Sequence, residues 1–262
     1  MEKLYAILAL MLVSTAALAN VSIINGLTHI YSGVSGEEVK GEVVLLNTTD
    51  RNQRVTFEIN EAIFSCTANR IFTEQNPHAQ SSSSWLEGEV MDKVMAPREK
   101  YIYRFTIHIP NDLSLQGSYW SVLMVSVDNP IKEELLTNNI GLNTKIRYAV
   151  GLLTHVNSFD EVNLDFEKVD LTLDTLSYEK ALDIKVRNDG TFIEGVELTL
   201  EVYDASGKKV DEFTTDRNMV FPGVCKNYLL DVSVLPDGEY QCMLLAGSRD
   251  EYTGANFTLS LK

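Results

Sequence analysis

Short runs of apolar–polar alternation recur along the chain. Val55, Phe57 and Ile59 alternate with Thr56, Glu58 and Asn60, and Leu198, Leu200 and Val202 alternate with Thr199 and Glu201. A period of two puts one set of side chains on each face of a pleated strand, so each run predicts a strand with one buried face. Asn, Asp, Gly and Pro interrupt the pattern every ~10 residues, the spacing of an all-β sandwich. Runs with helical spacing are few.

The pattern also repeats. Gly41 to Asp50 followed by Arg54 to Ile59 reads as a strand, an Asn47-led turn and a second strand; Leu182 to Gly190 followed by Val196 to Val202 reads the same way around Asn188. Further on, Pro97 to Ile107 leads to Leu115, Gly117 and Tyr119, as Pro222 to Val232 leads to Leu235, Gly238 and Tyr240. A Tyr just after a crossover can bury its ring and return its hydroxyl to backbone, the tyrosine corner of immunoglobulin-like domains. Cys242 follows Tyr240 by two residues, but the earlier strands of that half carry no Cys or Trp to match it, so the kinship is architectural. The chain is expected to be all-β, with two immunoglobulin-like β-sandwich domains in tandem. The first should span residues 20–155 and the second 156–262, unfolding as separate units.

Two segments are candidates for binding. Thr67 to Glu89 is long for a loop and holds Asn76-Pro77-His78, serines 81–84 and Trp85. It reads either as a binding loop with Trp85 as its aromatic anchor, or as a strand-crossing connection with Trp85 tucked against the sheet. Leu142 to Leu153 should be the last strand of the first domain. Ile146, Tyr148, Val150 and Leu152 point one way, and Lys145 and Arg147 the other. It reads either as a closing strand with a soluble face or as an edge whose backbone pairs with another chain.

The start of the chain changes the setting. Lys3, the apolar run Leu4 to Val13 and the small-x-small Ala17-Leu18-Ala19 form an export signal over residues 1–19. The run is shorter than the ~20 residues a membrane span needs, and no Cys at the cleavage point offers a lipid anchor. The mature chain is therefore expected to be soluble, in a bacterial periplasm or at the cell surface.

The net charge is −15, and residues 156–262 carry 21 acidic against 10 basic side chains. That balance opposes a nucleic-acid binder, which needs Lys and Arg to displace counterions, and opposes docking on anionic lipid. Three cysteines, Cys66, Cys225 and Cys242, are too few for a disulfide scaffold. They read as small buried hydrophobes, with a Cys225–Cys242 bridge as the alternative.

Chemistry-bearing patterns are sparse. His29, His78, His108 and His155 lie far apart with no metal-ligand spacing, and no nucleophile elbow or phosphate loop occurs. The acidic run Asp160 to Asp170 lacks the glycine and terminal glutamate of a calcium loop, and its alternating Val162, Leu164 and Phe166 predict a first strand with a charged face. No cofactor, metal or catalytic activity is expected.

Gly117-Ser-Tyr119-Trp120-Ser-Val-Leu and Thr144-Lys145-Ile146-Arg147-Tyr148 resemble the F and G strands of periplasmic pilus-assembly (PapD-like) chaperones, over residues 20–155. The resemblance implies that the G strand completes an unfinished subunit sandwich, and that basic residues in the cleft hold the subunit's terminal carboxylate. Lys145 is the one basic residue that carries over, because Val21 to Ser32 has no Arg where the family has one. A second resemblance is to two-domain surface proteins that accompany WxL-type cell-wall proteins. The expected function is an exported, non-enzymatic protein-binding module of the envelope, an assembly factor or chaperone for a surface or pilus protein. The alternative is a structural or adhesive surface component that binds glycan or wall polymer. Partner-binding candidates are Lys145, Ile146, Arg147, Tyr148, Val150 and Trp85, and the partner is another envelope or surface protein.

Overall fold

The computed structural model describes residues 20–66, 70–75, 77–128, 145–173 and 180–261. The export signal and Leu142 to Thr144 lie outside the described residues. The chain is built of strands: β1 (Val21–Ile23), β2 (Thr28–Gly33), β3 (Glu38–Asn47), β4 (Gln53–Ile63), β5 (Ile71–Thr73), β6 (Leu86–Gly88), β7 (Asp92–Met95), β8 (Lys100–His108), β9 (Gly117–Asp128) and β10 (Ile146–Val156), then β11 (Leu164–Leu173), β12 (Lys180–Asn188), β13 (Glu194–Tyr203), β14 (Lys209–Thr214), β15 (Asn218–Val220), β16 (Cys225–Asp231), β17 (Gly238–Ser248) and β18 (Glu251–Leu261). They form two immunoglobulin-like sandwiches.

In the first sandwich a sheet β1-β3-β8-β6 faces a sheet β2-β10-β9-β4, in which β5 and β7 both pair with β4. Alternation supplies the core between them. Val43, Leu45, Tyr103 and Ile107 from one sheet meet Phe57, Leu123, Val125 and Leu152 from the other, all nearly inaccessible. Phe57 stacks on Tyr103 with ring centres 4.2 Å apart. Burying such a side chain stabilises the fold by ~2–3 kcal/mol.

The first strand changes sheets, which the sequence pattern does not show. β1 runs antiparallel to β3, and β2 runs parallel to β10. Asn25 makes the crossing by standing in for backbone: its amide donates to Glu42 O (3.0 Å) and its carbonyl accepts from Val44 N–H (2.9 Å). Gly26 then adopts φ +95°, a conformation that Gly takes without a Cβ clash.

In the second sandwich a sheet β11-β12-β16 faces β14-β13-β17-β18, with β15 also on β13. Leu182, Ile184 and Val186 pack against Leu198, Leu200, Val202 and Leu244. The acidic run does enter a first strand. A bulge between Phe166 and Lys168 turns Glu167 outward, where it pairs with Lys185 (2.9 Å) and Arg187 (3.2 Å).

The internal repeat is physical. Asn47 and Asn188 are both fully buried, and each ties down its turn in the same way. The Asn47 amide donates to Arg51 O and Ala96 O, both at 2.8 Å, and its carbonyl accepts from Thr49 N–H. The Asn188 amide donates to Phe192 O (2.7 Å) and Val220 O (2.9 Å), and its carbonyl accepts from Gly190 N–H.

The tyrosine motif holds in one half only. Tyr240 packs on the second core and donates its hydroxyl to Pro236 O at 2.9 Å. Tyr119 instead lies against Trp85, with ring centres 4.7 Å apart, and its hydroxyl makes no hydrogen bond among the described residues. Tyr240→Phe is therefore expected to cost about 1 kcal/mol, the net value of one such bond, and Tyr119→Phe close to nothing. Urea-melt midpoints check this; equal shifts in the two variants would remove the distinction.

Candidate binding edge and interdomain cleft

β10 is eleven residues long and pairs with β9 over its whole length, but β2 covers only Gly151 to Val156 of its other edge. From Ile146 to Val150 that edge carries no strand among the described residues. Unpaired backbone N–H and C=O groups in an extended row are a template for another chain.

The side chains of this strand are placed by alternation. Ile146, Tyr148, Val150 and Leu152 face the first core; Val150 is fully buried, and Tyr148 donates its hydroxyl to Val21 O at 2.5 Å. In this state they serve their own sandwich, and what the strand offers outward at its edge is backbone. Lys145 and Arg147 lie on the opposite face and are already paired, with Asp128 at 3.4 Å and Glu58 at 3.5 Å, in exposed bridges. Trp85 closes a short 3-10 turn, Ser83–Trp85, and is 9% exposed within the first core. Its ring is thus tucked against the sheet and not presented to a partner.

The outward residues Ala149, Gly151 and Leu153 form the floor of a cleft of about 460 Å³ between the sandwiches. Its far wall includes Met219 to Phe221 and Lys226, and its near side includes Leu27, Arg70 and Phe72. Leu27, Phe72 and Met219 are large exposed apolar groups. Arg70 and Lys226 are also exposed, and neither has an ion-pair partner among the described residues. A cleft of mixed lining that holds exposed apolar groups and two cations without an ion-pair partner among the described residues suits an extended segment that carries an anionic group.

Three contacts hold the cleft together. The first is polar: Ser118 N–H donates to Thr191 O (2.9 Å), and Ile193 N–H donates to Ser118 Oγ (2.7 Å). The Ser118 hydroxyl also lies 2.7 Å from His155 Nδ1, a contact in which a neutral ring can accept. Burial pushes the His155 pKa down and so favours the same neutral form. Gly117, at φ +121°, makes this approach possible, because a Cβ there would sit 2.6 Å from Thr191 O.

The second contact is aromatic. Phe64 stacks on Phe221 at 4.0 Å, and Trp120 meets Phe221 edge-on at 4.9 Å while donating its indole N–H to Ala62 O. His78 stacks on the same Trp120 at 4.4 Å, 3.5 Å from the buried Glu61 carboxylate. The third contact is covalent. Cys66 is bonded to Cys225, and Cys242 is the free cysteine, buried, its thiol pushed up to about 11 by burial. This corrects the expectation of three reduced cysteines and also the Cys225–Cys242 alternative. Separate unfolding of the halves is no longer expected, since a bond spanning 159 residues joins the sandwiches.

Among the described residues, no group of three His, Cys, Asp or Glu side chains is placed to hold a metal, and no helix is long and apolar enough to cross a membrane. No family model and no curated protein matches the sequence. Solved structures do match. The Class 5 fimbriae chaperone CfaA superposes with a TM-score of 0.50 at 13% identity, covering 91% of this chain and 98% of that one. A structure of the Salmonella enterica SafA pilin in complex with the SafB chaperone superposes with a TM-score of 0.50 at 13% identity, covering 94% of this chain and 99% of that one. At such identity the likeness is one of fold, and the chain has the two-sandwich, immunoglobulin-like fold of the PapD-like pilus chaperones.

Proposed function

We propose that this chain is a non-enzymatic assembly factor of the bacterial envelope. Exported by residues 1–19, it holds a pilin-like or other surface subunit by adding the open edge at Ile146 to Val150 to that subunit's sheet. The observation that carries this reading is the half-covered β10 beside a cleft with two unpaired cations. Main-chain hydrogen bonds would supply affinity along the edge. Arg70 and Lys226 would hold the subunit's terminal carboxylate, the role that resemblance alone gave to Lys145. Lys145 is already paired with Asp128, whereas Arg70 and Lys226 line the cleft. The fold shared with fimbrial chaperones, one of them solved in complex with a pilin, supports the same reading. We place the boundary between the two domains at the end of β10, within residues 155–160.

A photo-crosslinking residue at Ala149, in cells that make the protein natively, tests this. Its outward side chain sits beside the open edge. The expected product is an adduct with a surface or pilus subunit, identified by mass spectrometry. Arg70→Glu with Lys226→Glu should cut that adduct at least tenfold and leave the melting curve in place, since both side chains are exposed. Lys145→Glu with Arg147→Glu should cut it less. Adducts with wall polymer only, or none at all, would defeat the assembly reading.

A further inference from the structure

The positions of the two cleft cations depend on how the sandwiches are joined. Arg70 lies four residues after Cys66, and Lys226 lies next to Cys225. The disulfide therefore ties together the two chain segments that carry the cations.

The non-covalent ties are narrow. Along the linker, Ser35 N–H donates to the Asn157 side chain (3.2 Å) and Gln116 donates to Ser158 O (3.1 Å), which fixes residues 157–158 to the first sandwich. Asp160 belongs to the second, accepting from Thr191 Oγ1 at 2.8 Å and, through its carbonyl, from Arg249 at 2.9 Å. The backbone of Phe159 lies between the two sets of bonds and is where a rotation would fall, with its ring resting on His155 of the first sandwich (5.3 Å) and Phe192 of the second (4.5 Å). Beyond the linker, among the described residues, the sandwiches are bridged by the Ser118 bonds, by the cluster of Phe64, Trp120, Ile193 and Phe221, and by His155 against Phe192 with ring centres 6.1 Å apart. Domains joined by so small an interface move relative to each other unless something else stops them.

We propose that Cys66–Cys225 is a redox-set spacer: oxidised, it holds Arg70 and Lys226 at the separation that receives one anionic group, and reduced, it lets the cleft open. Closing it removes two electrons and two protons from the two thiols. An incoming disulfide takes them up through a mixed disulfide and leaves as two thiols. A small dithiol reverses the step, and both cysteines are half-buried and not enclosed in either core. The uptake of a partner rests on the assembly reading above; the control of cleft geometry does not.

The test uses the exported chain, residues 20–262, in three forms: oxidised, reduced in place with dithiothreitol, and the Cys66→Ser, Cys225→Ser double variant. Hydrogen exchange and small-angle scattering read the geometry. Amides at Phe64 and from Phe221 to Cys225 should exchange at least tenfold faster in the two unbridged forms, with a larger radius of gyration and unchanged protection in β9 and β13. Superimposable exchange and scattering in all three forms would overturn the spacer. Should the variant fail to fold, the protein reduced in place gives the same readout.

A fluorescein-labelled peptide of alternating Val and Thr, with a free or an amidated C-terminus, reads uptake. The oxidised form should prefer the free acid at least tenfold, and the unbridged forms should lose that preference. If the oxidised form binds neither peptide, the assembly reading fails and the geometric result alone decides the spacer. If geometry opens and the preference persists, the disulfide does not gate uptake.

Discussion

Arg249→Met is expected to lower stability by about 3–5 kcal/mol, the cost of leaving one partner of a buried ion pair alone. Glu194, at the start of β13, is 2% exposed. Arg249 meets it with its fork, from Nη2 at 2.6 Å and Nε at 2.9 and 3.1 Å, and Ser248 donates a further bond at 2.7 Å. Met keeps the length and the packing on Phe159, over which the guanidinium now sits at 4.8 Å. It removes the charge, the three contacts to the carboxylate and the Nη1 donation to Asp160 O. Arg249 has φ +47° in the tight turn between β17 and β18, but Met carries the same Cβ, so turn strain cancels in the comparison. The double variant Glu194→Leu, Arg249→Met removes both charges and should regain most of the loss, because neither is left buried and unpaired. A chemical melt of the three proteins decides. A fall below ~1 kcal/mol for Arg249→Met would show that the pair is solvated like a surface bridge.

That pair was not legible in the sequence. Glu194 and Arg249 are 55 residues apart, and an acid and a base at that separation carry no periodic signal. What periodicity could announce, it did. The alternating runs 55–60 and 198–202 are strands facing the cores they were expected to face, because a one-residue slip would turn every apolar group to solvent. The inward set of β10 was likewise legible from Ile146, Tyr148, Val150 and Leu152. Its consequence was not, because those side chains are spent on the chain's own core. The sheet switch from β1 to β2 was missed because Asn25-Gly26 reads as any turn until its partners, Glu42 O and Val44 N–H, are known.

The cleft failed to appear for a different reason. Its cysteines, its cations and its aromatic cluster each come from two sandwiches, and only their packing brings them together. Three cysteines fix the parity of pairing and nothing more; the choice of Cys66 with Cys225 is made by the distance between domains. One faint signal was present. No acidic residue lies between Asp216 and Asp231, in the half of the chain with the greater acidic excess, so Lys226 was a cation with no local neutralising partner. Trp85, the more conspicuous residue, is taken up by the core.

The internal repeat supplies the second large effect. Asn188→Leu should cost about 3 kcal/mol, since it leaves backbone groups buried without a partner at ~1–3 kcal/mol apiece, and Asn47→Leu less, since Arg51 and Ala96 at its turn are exposed. Leucine has the same branching and number of side-chain heavy atoms, so no cavity is left to explain the loss. At Asn188 the orphaned groups are Phe192 O, Val220 O and Gly190 N–H; at Asn47 they are Arg51 O, Ala96 O and Thr49 N–H. Asn→Asp at either site keeps the acceptor and loses both donations, setting a carboxylate against two carbonyl oxygens, so it should be no milder than Leu at neutral pH. The midpoint of a urea melt should fall with its slope unchanged. The two sites also report on the disulfide. While Cys66–Cys225 joins the sandwiches, both substitutions should shift one common transition. In the Cys66→Ser, Cys225→Ser background each should shift a transition of its own, Asn47 that of the first sandwich and Asn188 that of the second. A loss below ~1 kcal/mol at both sites would mean that solvent satisfies those turns, and the repeat would then be a likeness of sequence with no energetic role.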